Sequence, residues 1–132
     1  MKIHHICIQT DNYEQSLEFY KNILKFKIVQ QTPAFHGRLF NSWLQLDDFM
    51  IELQTAKGNE ELRDFTKLTK AIVHFCLTTE NIEKEYERIH ATGFRNFLPK
   101  NGDDLYSVEG GKLFKITAPE GTIIEIRDLK EI

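Results

Sequence analysis

The chain has 132 residues, 41% of them hydrophobic, with 17 Lys and Arg against 20 Asp and Glu and a net charge of -3. That is one globular unit's worth of chain with ordinary composition. Its acidic balance excludes nucleic acid as the main partner, and no apolar run approaches the roughly 18 residues of a membrane span.

The first segment, from Ile3 to Thr10, reads as a strand. It enters the strand pattern at once, with no secretory h-region, so a cytoplasmic location is expected. In that compartment Cys7 and Cys76 are expected as reduced thiols rather than a disulfide. Asp11 follows as an N-cap, with Glu14 three residues on as its capping-box partner. Tyr13, Leu17, Tyr20 and Leu24 then recur at helical spacing and form one apolar stripe. Strands are expected from Phe26 to Val29, Arg38 to Leu46 and Phe49 to Thr55, the last two joined at Asp47-Asp48.

Ala56 to Thr69 is polar and charged and reads as a connector, with the linker proper at 57–69. It separates module 1 (1–56) from module 2 (70–132). Ala71 to Leu77 is a strand, and Ile82, Tyr86 and Ile89 form a second helical stripe ended by Gly93. A short strand at Arg95 to Leu98 precedes a loop from Pro99 to Asp104. Gly110-Gly111-Lys112 has the wrong flanks for a phosphate loop and reads as the start of a strand after a mobile flap. Lys112 to Thr117 and Thr122 to Arg127 form a hairpin turning at Pro119-Glu120-Gly121.

Each half thus reads β-α-β-β-β, and the halves are a repeat. His5, Cys7, Thr10, Asn12 and Glu14 match His74, Cys76, Thr79, Asn81 and Glu83 at an offset of 69. Repetition of one supersecondary unit implies pseudo-twofold stacking. A half of about 60 residues is marginal alone, so the halves share a core or pair with those of a second chain.

Both halves close on an apolar strand with one Glu inside it: Glu52 between Ile51 and Leu53, Glu125 between Ile124 and Ile126. These Glu lie 73 apart, so loops supply four extra residues. Side chains alternate along a strand, so each Glu points away from its apolar neighbours. His5 and His74 stand in the same relation to Ile6 and Phe75. A half-buried carboxylate needs a partner. Water is one; a divalent cation is the other. Two imidazoles and two carboxylates suit zinc, nickel, cobalt, manganese or iron rather than calcium or magnesium.

The run H-H-I-C-I-Q-T-D-N-Y-E-Q-S-L-E-F-Y-K-N-I-L-K-F (His4 to Phe26) resembles the opening of the vicinal oxygen chelate superfamily, the glyoxalase I, bleomycin-resistance and extradiol dioxygenase group. P-E-G-T-I-I-E-I resembles that family's D-P-x-G-x-x-I-E-L ending, and the likeness spans essentially the whole chain. The resemblance implies an α+β fold: one domain of two tandem β-α-β-β-β modules whose strands form a cupped sheet around a metal. It places the ligands on His5, Glu52, His74 and Glu125. A complete His-Glu-His-Glu set resembles glyoxalase I and methylmalonyl-CoA epimerase. Extradiol dioxygenases and fosfomycin-resistance enzymes have no Glu at the Glu52 position, and binders of the bleomycin-resistance type have no ligand set.

The resemblance therefore implies a glyoxalase I-like lyase or isomerase holding nickel or zinc, with cobalt, manganese or iron as further options. The metal stabilises an enediolate formed on a hemithioacetal-type substrate. Glu125 takes the carbon proton, and Glu52 is the other candidate for that role. An acyl-thioester epimerase or a non-catalytic small-molecule binder are the alternative readings. A homodimer is expected, the site closing within one chain or between two. Some departures bear on substrate. Gln9 stands where short bacterial glyoxalases often have an Arg that holds a glutathione carboxylate. Lys25 replaces Gly in L-G-F, so the first helix must end without the usual Gly, and Ala118 replaces Asp in the turn.

Other residues carry a structural reading beside the functional one. Cys7 and Cys76 share the faces of His5 and His74, either as small buried hydrophobes or as lining of a substrate site. His4 is expected opposite His5, and His36 and His90 at the surface. Arg127 shares the face of Glu125 and is a candidate anion-binding group. Phe40, Trp43, Tyr106 and Phe114 are either site walls or core.

Overall fold

A computed structural model describes residues 1–130. The chain divides into two compact units, Met1–Asp64 and a second beginning at Phe65. No described helix is long and apolar enough to cross a membrane.

In unit 1 the strands are β1 (His5–Gln9), β2 (Lys27–Pro33), β3 (Phe40–Leu46) and β4 (Phe49–Gln54), ordered β1-β4-β3-β2. β1 runs parallel to β4, and the other pairs are antiparallel. β1 and β4 are adjacent but far apart in sequence, because the helical segment and two strands intervene. That segment is α1 (Tyr13–Glu18) running into a π-helical turn, Phe19–Ile23. α1 packs on β4. The stripe Tyr13, Leu17, Tyr20 and Leu24 is buried, and it meets Phe26, Leu44, Ile51 and Leu53 in the core.

The start of α1 differs from the sequence reading. Asn12, not Asp11, is the N-cap residue, and no side chain caps the helix. Buried Thr10 accounts for the shift: its Oγ1 accepts from the Asn12 backbone N–H at 2.9 Å and pairs with Ser16 Oγ at 2.9 Å. The segment ends as expected without Gly. Lys25 itself takes the left-handed conformation, φ 64°, a region that side chains with a Cβ disfavour.

Unit 2 repeats the order as β5-β8-β7-β6. Its elements are β5 (His74–Thr78), α2 (Ile82–Ala91), β6 (Tyr106–Val108), β7 (Gly111–Thr117) and β8 (Ile123–Arg127). β5 is parallel to β8, and α2 packs on β7. Ile82, Ile89, Phe114, Ile116 and Ile124 are the buried core. Here Asn81 caps the helix, its side chain accepting from Lys84 N at 2.8 Å. Gly93 follows α2 with φ 88°.

The strand read at Arg95 to Leu98 does not form. Only a bridge between Phe97 and Ile116 joins that stretch to β7. The edge position that β2 fills in unit 1 is shared here between this bridge and β6, because the loop from Pro99 interrupts the edge. Gly110 does not follow a flap. Glu109 and Gly110 make a two-residue turn between β6 and β7, both with positive φ (49° and 82°), the conformation such tight hairpins require.

Candidate metal centre

In each unit the helix covers one face of the sheet and the polar residues of the last strand point away from the core. Ile51 and Leu53 are buried while Glu52 between them is half-buried. Ile124 and Ile126 are likewise buried, and Glu125 between them is buried as well. Parallel pairing places Cys7 opposite Glu52 and Cys76 opposite Glu125. The His two residues earlier in β1 and β5 falls on that same face.

The pairs read from the repeat meet within each unit. His5 Nε2 lies 3.7 Å from Glu52 Oε2, and His74 Nε2 lies 3.5 Å from Glu125 Oε2. Nitrogen and oxygen donors about 2.1 Å from an ion in tetrahedral array stand about 3.4 Å apart. Both pairs therefore fit neighbouring positions around a divalent ion with little movement. Within either unit the described residues offer this pair and no set of three or more His, Cys, Asp and Glu disposed to hold an ion.

The other carboxylate oxygen is held differently in the two units. Glu52 Oε1 accepts from Asn41 Nδ2 at 2.7 Å. Asn41 is buried, and its own Oδ1 has no hydrogen-bond partner among the described residues. Trp43 pairs with Glu52 across β3 and β4, and its ring meets His5 edge-on at 4.8 Å. Glu125 Oε1 accepts from the Cys76 thiol at 3.6 Å, a contact that Cys7 and Glu52 share, and faces Arg127 Nη1 at 3.8 Å. Lys115 pairs with Glu125 across β7 and β8, and its Nζ lies 3.1 Å from Oε2. Arg127 thus sits beside Glu125, as the alternation implies.

Cys7 and Cys76 are exposed and disulfide-free rather than small buried hydrophobes. They stand on the polar face, away from the core. Desolvation, and then the charge of the adjacent Glu52 or Glu125, pushes both thiols up to about 11. They are neutral at physiological pH, when they can donate to a carboxylate. His4 is not opposite His5 either. It lies just before β1, and its Nδ1 approaches His5 Nδ1 to 2.8 Å. His36 and His90 are exposed, as expected.

Of the candidate wall residues, Phe114 is core, Phe40 stacks on Tyr13 at 4.6 Å, and Trp43 alone touches a candidate ligand. Gln9, where related enzymes often carry Arg, accepts from Arg38 Nη1 at 2.9 Å, so a guanidinium reaches the position from β3's approach instead. Asn41 and Lys115 are the site residues the sequence reading missed. Counting back from the Pro119-Glu120-Gly121 turn would have set Lys115 against Glu125; nothing so local marks Asn41.

A repeated β-α-β-β-β unit that turns a His and a Glu out of neighbouring strands in both copies defines a class of paired-module folds. The chain belongs to the glyoxalase/bleomycin resistance protein/dioxygenase superfamily, whose profile matches residues 2–126. It is 28% identical over 92 residues, 69% of this chain and 71% of the other, to the uncharacterized protein YwkD of Bacillus subtilis (strain 168). Among solved structures it is similar to a glyoxalase family protein from Enterococcus faecalis, at TM-score 0.78 and 19% identity over 96% of each chain. It is similar also to the fosfomycin resistance protein FosX from Listeria monocytogenes in complex with Mn(II) and sulfate. That match has TM-score 0.69 and 13% identity, covering 98% of this chain and 93% of the other.

Proposed function

We propose that this protein is a divalent-metal-dependent lyase or isomerase of the glyoxalase I kind. It moves a proton between adjacent carbons of a hemithioacetal-type small molecule. The supporting observation is the twofold occurrence of a His Nε2 facing a Glu Oε2, at 3.7 and 3.5 Å, on the polar face of a four-stranded sheet. In this reading His5, Glu52, His74 and Glu125 serve one ion, drawn from the two units of one chain or of two chains in a homodimer. Nickel or zinc suits the donors, with cobalt, manganese and iron as further options. The ion would supply Lewis acidity toward the substrate's oxygens.

The proton work falls to the carboxylates. Glu125 is the first candidate base, and Lys115 and Arg127 stand beside it. Glu52 is the second carboxylate, which in this reading returns a proton to the neighbouring carbon. Asn41 holds one of its oxygens and leaves the other toward His5. Trp43 packs against the His5 ring and fixes its orientation.

One observation favours a second reading. The Lys115 ammonium pairs with Glu125 Oε2 where a metal would otherwise stand, as a small-molecule binder without turnover would need. Elemental analysis of protein loaded with nickel or zinc and then dialysed separates the two. Stoichiometric metal supports the enzyme, and its absence leaves the binder. Turnover of methylglyoxal with glutathione or bacillithiol then supports the lyase. Metal without that turnover, but with proton exchange in an acyl thioester, selects the epimerase instead.

A further inference from the structure

The repeat gives its two carboxylates different neighbours. At the cross-strand position beside Glu52 stands Trp43; beside Glu125 stands Lys115. Two residues beyond each Glu stand Gln54 and Arg127. The face of unit 2 that carries His74 and Glu125 therefore holds two cations for one anion.

The cations are not fully satisfied. Lys115 Nζ lies 3.1 Å from Glu125 Oε2, the same oxygen that His74 Nε2 faces at 3.5 Å. A dication held by His74 and Glu125 would take that oxygen and repel the ammonium. Arg127 Nη1 is 3.8 Å from Glu125 Oε1, and its Nε is buried without a hydrogen-bond partner among the described residues. Asp128 is a second charge near this guanidinium. Gly111 makes room for it: a Cβ there would stand 3.3 Å from Arg127 Nη2 and 2.9 Å from Asp128 Oδ1.

We infer that Lys115 and Arg127 form an oxyanion subsite beside the His74–Glu125 pair, and that Lys115 exchanges partners. It pairs with Glu125 when no metal is bound, and with a carboxylate or phosphoryl oxygen of the small-molecule ligand when metal is bound. The inference rests on the metal-binding reading above. Metal releases the ammonium for the anion, and the anion draws the ammonium off Glu125, so each ligand tightens the other by the same factor. Loss of Lys115 then has opposite effects on the two ligands: metal gains a carboxylate without a competitor, while the anion loses its ammonium. A packing role would move both affinities together or neither.

Zinc affinity is measured by competition with a chromophoric chelator, and binding of inorganic phosphate and of acetate by calorimetry, with and without zinc. The proteins are the wild type, Lys115→Met, Lys115→Arg and Arg127→Gln, each checked for its thermal melt. Lys115→Met is expected to bind zinc about tenfold more tightly and the preferred anion about tenfold more weakly. Lys115→Arg keeps the anion affinity, and Arg127→Gln lowers it. Zinc strengthens anion binding in the wild type and not in Lys115→Met. Preference for phosphate assigns a phosphoryl group, and preference for acetate a carboxylate. Zinc uptake with unchanged anion affinity in Lys115→Met, or with zinc affinity unchanged or lowered, overturns this inference and leaves the metal reading standing. A wild type that takes up no zinc overturns both.

Discussion

Glu52 and Glu125 occupy one place in a duplicated backbone, each opposite a cysteine on the parallel strand and each facing a histidine. Their remaining neighbours belong to different chemistries. Around Glu52 stand an amide and an indole, Asn41 and Trp43; around Glu125 stand an ammonium and a guanidinium, Lys115 and Arg127. The backbone echoes persist down to single bonds. Phe40 N–H donates to Thr55 Oγ1 at 3.3 Å in unit 1, and Lys112 N–H donates to Asp128 Oδ2 at 2.9 Å in unit 2. Duplication thus fixes where the carboxylates lie, while residues on the adjoining strand and on the strand of the Glu itself set the charge around them.

The largest expected break in this comparison comes from the carboxylates themselves. Glu125→Gln should lower hemithioacetal turnover by about 10²–10⁴, the usual contribution of a general base. Glu52→Gln should lower it less, since no Lys or Arg pairs with Glu52 among the described residues. Turnover retained by metal-loaded Glu125→Gln would move the base role away from Glu125.

Asn41→Ala tests the neutral half-site. It leaves Glu52 Oε1 without its amide donor, and metal affinity in chelator competition should fall about 10–100-fold, as for other residues that orient a metal ligand. The counterpart in unit 2 is Leu113, which pairs with Arg127 as Asn41 pairs with Gln54, and it offers no donor. An unchanged affinity would mean that Glu52 is positioned by its strand alone.

The helix ends provide a test of stability. Lys25 and Gly93 both take positive φ, 64° and 88°. The left-handed region costs a residue with a Cβ about 1–2 kcal/mol, and glycine gives back about 0.5–1 kcal/mol of that in unfolded-state freedom. Lys25→Gly should therefore raise the unfolding free energy by about 0.5–1 kcal/mol in denaturant titration. Gly93→Ala should lower it, and since nothing lies within 4 Å of a Cβ at Gly93, backbone strain is the cause.

The smallest effect is one of pH. The Lys112 N–H holds the Asp128 carboxyl below its ordinary value of 3.8, helped by the Lys130 N–H and by the charges of Lys130 and Arg127. A carboxyl depressed in the folded state stabilises above its unfolded value and loses that contribution as pH falls through the folded one. Asp128→Asn should melt slightly below the parent at neutral pH, with the gap closing well below pH 3.8. Thr55→Val, at the matching place in unit 1, should show a gap that pH does not change.

Much of this molecule is a local property of its chain. Alternation in M-I-E-L and I-I-E-I sets Glu52 and Glu125 against a buried apolar pair, because neighbouring side chains on a pleated strand must leave by opposite faces. The repeat marks one His and one Glu in each half, and helical spacing marks Tyr13, Leu17, Tyr20 and Leu24 as core. What the tertiary structure decided is which side chains meet across strands. Trp43 beside Glu52, Lys115 beside Glu125, the reach of Asn41, the return of His4 toward His5 and the broken edge at Phe97 and β6 all depend on turn lengths and register. Register is settled by pairing between distant segments, and a shift of one residue sends a side chain to the other face, so no local pattern carries it.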